Sequence, residues 1–287
     1  MQAYFPLHIQ NTRLNGVFLQ IFGKQDMSNE SVLLQEAFAL YEAGMPGAAL
    51  AVCEEVTARD NHSALAHNYA GFACLRLGRM DQAIAEFREA VRRDPNNADF
   101  YIGLADAYGS SCFRGAERRR ALQQANTLRM PEWKRETIEG KLAETEGDYG
   151  CALGCFRRAA LDAPEERNME AEIGRVLALM KRTREARDVL RASASRPTAT
   201  SMTWFNLGRC EQKMGNFGAA AEDFERALTM NSYNQLALYR LMQVSFARRQ
   251  WQRGFQQLRA LWRLMLRTVI EEDTTLKQKG IQAEEGR

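Results

Sequence analysis

Small, bulky and polar positions recur along this chain at intervals of 34 residues, and each interval has room for two helices that meet through small side chains. Unit 64–97 shows this most clearly, with Gly71, Ala83, Phe87, Ala90 and Pro95 at its positions 8, 20, 24, 27 and 32. Small residues at 8 and 20 permit close approach of an antiparallel pair, while the large one at 24 fills the wedge toward the next unit. Gly78 falls between the helices, where a reversal favours a residue tolerant of positive φ. Pro95 ends the second helix, because it lacks an N–H and bars Asp94 from helical geometry.

The same ruler fits 30–63, 133–166, 167–200, 201–234 and 235–268, with a 35-residue unit at 98–132 filling the gap. Unit 133–166 has Gly140, Gly147, Ala152, Phe156, Ala159 and Pro164, and unit 201–234 has Trp204, Leu207, Gly208, Gly215, Ala220, Phe224 and Ala227. Unit 167–200 keeps Gly174 and Ala186, puts Leu190 at position 24 and shifts its proline to Pro197. The outer units are looser, with Ala37, Gly44, Ala49, Cys53 and Val56 in the first and Met242, Gly254, Leu258 and Leu261 in the last. A period of this length predicts small units stacked in a line, each touching only its neighbours.

This pattern resembles the tetratricopeptide repeat family, whose repeats are small at 8, 20 and 27, aromatic at 24 and carry proline near 32. The resemblance covers 30–268. It implies an all-α, right-handed superhelical solenoid of about seven helix-turn-helix repeats, closed by a C-terminal capping helix. In unit 98–132 the first helix is regular, with Tyr101, Leu104, Ala105 and Tyr108, but Gly109-Ser110-Ser111 and Gly115 interrupt it. The expectation there is a longer turn, the softest joint of the array, then a helix from about Ala116 to Leu128 that stops near Pro131.

Residues 1–29 stand outside the ruler as an N-terminal extension or short capping helix. Leu14, Val17, Phe18, Ile21 and Phe22 form an apolar stripe suited to covering the first repeat. Translation from Met27, just before the N-cap candidates Ser28 and Asn29, is the competing reading, and both stand. Toward the other end, Trp251, Phe255, Leu258, Leu261, Trp262 and Met265 make a stripe with Arg253, Arg259, Arg263 and Arg267 facing away, as a capping helix requires. Residues 269–287 read as the end of that helix and a polar tail.

Composition narrows the class. A formal charge of +3 with 26% charged residues suits a folded chain rather than a polyanion binder. No apolar run reaches membrane-spanning length, and the N-terminus lacks the layout of a secretory signal. Six irregularly spaced cysteines fit reduced, mostly buried thiols, so the expected compartment is the cytoplasm.

Catalytic chemistry finds no footing. The histidines are His8, His62 and His67, and none has a carboxylate or cysteine in triad or metal spacing; phosphate-loop, nucleophile-elbow and zinc-helix motifs do not occur. The sequence therefore points away from an enzyme and names no cofactor. Cys151 and Cys155 share a helix face but lack two further ligands, so no metal is expected. Basic runs at Arg92-Arg93, Arg114 with Arg118–Arg120, Arg157-Arg158 and Lys181-Arg182 with Arg184 are interleaved with acids, which argues against nucleic acid.

What remains is the inner surface. In the family this chain resembles, the first helix of each pair lines a concave groove, chiefly through positions 2, 5, 6, 9, 12 and 13. Those positions in the first two repeats hold Leu34, Phe38, Tyr41, Asn68, Tyr69, Phe72 and Arg76, an apolar and aromatic strip. Repeats five to seven hold Arg175, Phe205, Asn206, Arg209, Lys213, Tyr239, Arg240 and Phe246, aromatics mixed with cations. Exposed aromatics beside guanidinium groups suit a protein interface, and the second set would favour an acidic peptide or chain end. A carboxylate clamp known in the family is matched only by Asn206 and Arg240, since Ala171, Arg175 and Leu236 replace its other members. The expectation is an adaptor that binds a protein segment in the groove. The alternatives are a self-associating scaffold of a secretion- or pilus-type machine, or the regulatory arm of a transferase.

Overall fold

The computed structural model describes residues 29–59, 62–109, 114–163 and 169–266, and these are helical throughout apart from turns. Thirteen helices run in order: α1 Asn29–Glu42, α2 Pro46–Arg59, α3 Ala64–Leu77, α4 Met80–Arg93, α5 Ala98–Gly109, α6 Gly115–Asn126, α7 Glu132–Glu146, α8 Tyr149–Asp162, α9 Met169–Leu179, α10 Thr183–Ala194, α11 Ser201–Lys213, α12 Phe217–Met230 and α13 Gln235–Ala247. A further helix, α14, covers 251–266. Each odd-numbered helix packs on the even one after it, and each pair packs on the next pair, which makes an all-α solenoid. The N-terminal stripe, Met27, Cys112, Pro164, the turn 110–113 and the residues beyond 266 lie outside the described residues.

The close approach within each pair has one recurring cause. The position-24 ring lies on the position-8 glycine: a Cβ on Gly71, Gly140 or Gly208 would come within 2.8, 2.9 and 2.8 Å of the rings of Phe87, Phe156 and Phe224. Leu190 does the same over Gly174, and Phe87 also leans on Gly103 of the following repeat. In the last pair the roles are exchanged, with Phe246 of α13 lying on Gly254 of α14. Phe87, Phe156, Phe224 and Leu190 are fully buried, so each links its own pair to the core between repeats.

The helix reversal is equally periodic. At position 15 of six repeats the backbone turns left-handed, at Gly44, Gly78, Gly147, Lys181, Gly215 and Arg249. The residue after it donates to the carbonyl five positions back in every case, as in Arg79 N to Cys74 O at 2.9 Å and Gln250 N to Ser245 O at 2.9 Å. This is the Schellman closure of a helix, which satisfies carbonyls that would otherwise be orphaned. Where repeat six lacks the proline, a polar clasp holds its last residue, the N-cap of α13: Asn234 donates to Ser201 Oγ at 3.1 Å, and Ser201 donates to the Ala227 carbonyl at 2.8 Å.

Two observations show how far the array curls. A Cβ on Gly44, in the turn of the first repeat, would lie 3.6 Å from the Met230 carbonyl at the end of α12. Tyr233, just beyond it, packs on the core cluster of the first repeats. The first turn therefore meets the sixth repeat. At the far end the outcome differs from expectation at the level of residues: Trp251, Phe255, Leu258 and Trp262 of α14 are exposed, because no described helix follows to cover their face, and Arg259 and Arg263 share that open surface with them rather than facing apart.

Lys181 and Arg249 hold a backbone conformation that a side chain disfavours by about 1–2 kcal/mol. Replacing either with glycine should stabilise the chain by about 1 kcal/mol, visible as a raised urea midpoint with unchanged slope. Phe156→Ala should cost roughly 3–5 kcal/mol in the same measurement.

Candidate peptide groove

First helices of neighbouring repeats approach one another, α1 to α3, α3 to α5, α9 to α11 and α11 to α13, and among α1–α13 no pair of second helices does so to the same extent. The odd helices thus form the inner wall. Three stretches of it differ in chemistry.

The N-terminal stretch is aromatic. Phe38 of α1 and Tyr69 of α3 lie 6.0 Å apart, and Tyr41 and Phe72 form a second rung at 6.4 Å. The Arg76 guanidinium sits 4.2 Å over the Tyr41 ring and donates to the Tyr41 carbonyl at 2.6 Å, fixing the rung at the helix end. Phe38, Tyr41, Tyr69 and Phe72 are half-buried, so each keeps an accessible edge. Burial pushes the Tyr69 hydroxyl up to about 12, and burial raises Tyr41 against the opposing pull of Arg76, so both stay protonated donors at neutral pH. Leu34 and Asn68, expected beside them, are buried instead.

The central stretch is a charge ladder. Asp99 accepts from Lys134 at 2.8 Å and Asp106 from Lys141 at 2.6 Å, each across one repeat step. Glu144 accepts from Arg118 at 3.4 Å and from Arg175, whose other partner is Glu172 at 2.6 Å. Burial alone would raise Glu172, but Arg175 and Lys141 outweigh it and its carboxyl stays below the usual range. Arg175 therefore serves the wall itself, its guanidinium held between two carboxylates.

The C-terminal stretch carries positive charge that is not compensated. Arg209 donates to the neutral Asn206 Oδ1 at 3.3 Å and lies 5.7 Å over the Phe205 ring, while Arg240 donates to Gln243 Oε1 at 3.2 Å. Neither guanidinium, nor Lys213, pairs with a carboxylate among the described residues. Burial first, then the nearby Arg240 and Arg175, hold Arg209 below its ordinary value, a sign of crowded like charge. Tyr239 is exposed, and its hydroxyl accepts from Gln243 Nε2 at 2.9 Å. Phe205 and Asn206, expected on the groove surface, are buried beneath Arg209, with Phe205 packed 6.0 Å from Phe224 in the core.

Beneath this stretch lie two buried carboxylates that the sequence pattern did not single out. Glu211 of α11 accepts from Arg191 at 2.5 Å and from Asn216 at 2.7 Å. Asp223 of α12 has no such partner among the described residues, and burial, with Glu211 adding repulsion, pushes its carboxyl from 3.8 up to about 7. Elsewhere the expected basic runs are paired, for example Arg93 with Glu89, Arg114 with Asp81 and Arg158 with Glu136. Glu136, Glu139 and Cys155 converge within 4.8 Å, but Arg158 already holds Glu136 through both oxygens at 2.7 Å. Cys151, expected among buried thiols, is exposed, while Cys53, Cys74, Cys155 and Cys210 are buried.

Sequence models of the tetratricopeptide repeat match residues 40–99 and 201–234, the second coinciding with one full unit of the ruler. The chain is a tetratricopeptide-repeat protein. Among solved structures, this tetratricopeptide-repeat chain is similar to the APC/C hetero-tetramer Cut9-Hcn1, at 16% identity and TM-score 0.57 over 88% of this chain and 50% of that one. It is also similar to a tetratricopeptide repeat protein from Parabacteroides merdae ATCC 43184, at 12% identity and TM-score 0.58 over 81% of this chain and 90% of that one. The chain thus spans half the length of the first of these, and identities this low speak for the fold alone. No curated protein matches it in sequence. No helix among the described residues is long and apolar enough to cross a membrane.

The buried Asp223 sets a pH dependence. Its folded-state value lies above its unfolded one, so the native chain binds the extra proton and stability falls as pH rises from about 4 to about 7. Asp223→Asn should be more stable than the parent at pH 8 by on the order of 2–4 kcal/mol and equal to it near pH 4. Urea melts at the two pH values check this.

Proposed function

We propose that this tetratricopeptide-repeat protein is a non-catalytic adaptor whose inner wall receives a segment of another protein, acidic where it meets repeats six and seven. The observation that carries the reading is the contrast along the wall. Its centre is neutralised by its own ion pairs, whereas Arg209, Lys213 and Arg240 stand together without a carboxylate. Fixed cations paired only with neutral amides attract an anionic segment and bond it with charge assistance. The rungs Phe38–Tyr69 and Tyr41–Phe72 supply accessible apolar area at the other end. Ordering costs fall on the ligand because the wall is built in advance, so modest contacts can sum to about micromolar affinity. The same proposal puts the chain in the cytoplasm, supported by five cysteines carried as thiols among the described residues.

Affinity capture with crosslinking mass spectrometry, run on the parent chain and on Arg209→Glu/Arg240→Glu, tests the assignment. The expected result is crosslinks from Lys213, an acidic captured segment, and at least about tenfold weaker capture by the double variant at unchanged thermal stability. Equal capture by both proteins, or crosslinks confined to the even-numbered helices, would refute it.

A further inference from the structure

Across an internal seam of this array, positions 21, 24 and 27 of one repeat are covered by positions 3, 7 and 10 of the next. At the α12–α13 seam these are Ala221, Phe224 and Ala227 against Ala237, Leu241 and Val244, all buried together. The same positions are open at both ends of the described array. On α14, Phe255 at position 21 is 55% exposed, Leu258 at 24 is 43% exposed, and Trp262 beside them is 63% exposed. On α1, Val32 at position 3 is 44% exposed and Glu36 at position 7 is exposed.

We propose that these two ends are complementary and that α1 of a second copy stacks on α14, continuing the repeat from one chain to the next. Charge supports this occupant. Helix α1 carries Glu30, Glu36 and Glu42 and no base; the described run of α14 carries Arg253, Arg259 and Arg263 and no acid. Arg253 is held by Glu225 at 2.7 Å, but the three glutamates, Arg259 and Arg263 form no ion pair among the described residues. A two-fold pairing of α14 with α14 would instead set arginine against arginine.

The contact is head-to-tail, so it does not close at a dimer unless the rotation completes a ring. One helix-on-helix seam falls short of the roughly 800 Å² per partner of a standard interface, so the association is weak and salt-sensitive.

Sedimentation of the full chain across a wide concentration range, at low and high salt, tests this. The weight-average mass should rise from the 32.6 kDa monomer past the dimer at low salt and fall back at high salt. Arg259→Glu and Glu36→Arg should each weaken association by about tenfold, and the two together in one chain should restore it, a rescue that misfolding does not mimic. A monomer at every concentration would overturn the proposal and leave α14 to a terminal segment of the chain or to another protein. A species that stops at the dimer and ignores Glu36→Arg would overturn it in favour of two-fold pairing.

Discussion

A ring resting on a glycine sets the geometry of this solenoid. With Phe87 on Gly71, Phe156 on Gly140 and Phe224 on Gly208, the two helices of a pair sit closer than any side chain at position 8 would allow. The same rings reach the core shared with the next repeat, so intra-repeat and inter-repeat packing rest on one residue. A solenoid has no central core to absorb an error, and its stability is the sum of such local joints. The exchange of roles in the last pair, Phe246 on Gly254, keeps the spacing while reversing which helix supplies the bulk.

The fold was legible because this packing is written as residue size at fixed positions, and size shows in a single sequence. The reversal at position 15 was only partly legible. Gly78 announces it, but Lys181 and Arg249 adopt the same left-handed turn, held by backbone hydrogen bonds that leave no mark on side-chain identity. Groove residues were harder still. Phe205 and Asn206 share one helix stripe with Arg209 and Lys213, but the shorter side chains are covered by their neighbours while the longer basic ones reach past them. Arg175 reads in sequence as a cation with at most Glu172 beside it, because Glu144, its second carboxylate, lies on another repeat.

Charge along the inner wall divides labour between structure and recognition. Ion pairs such as Asp106–Lys141 and Glu144–Arg175 bridge successive first helices and leave little net field at the centre. Partly exposed pairs of this kind add little stability, but they fix register between repeats and remove sites for unwanted charged partners. Near repeats six and seven the balance ends, and Arg209, Lys213 and Arg240 meet no carboxylate among the described residues, which leaves a local imbalance. Opposite charge on a ligand relieves it, which ties affinity at that end to the ligand's sign rather than its shape.

The touch between Gly44 and Met230 changes what kind of object the molecule is. A strictly linear array lets each terminus fray independently, since every unit answers only to its neighbours. Once the opening turn rests on a late repeat, a circuit exists: loosening any joint along the way shifts both margins of that contact. The chain then behaves as a sprung clasp, with its coils seated on each other, and widening the trough for a bulky guest must first part that seat.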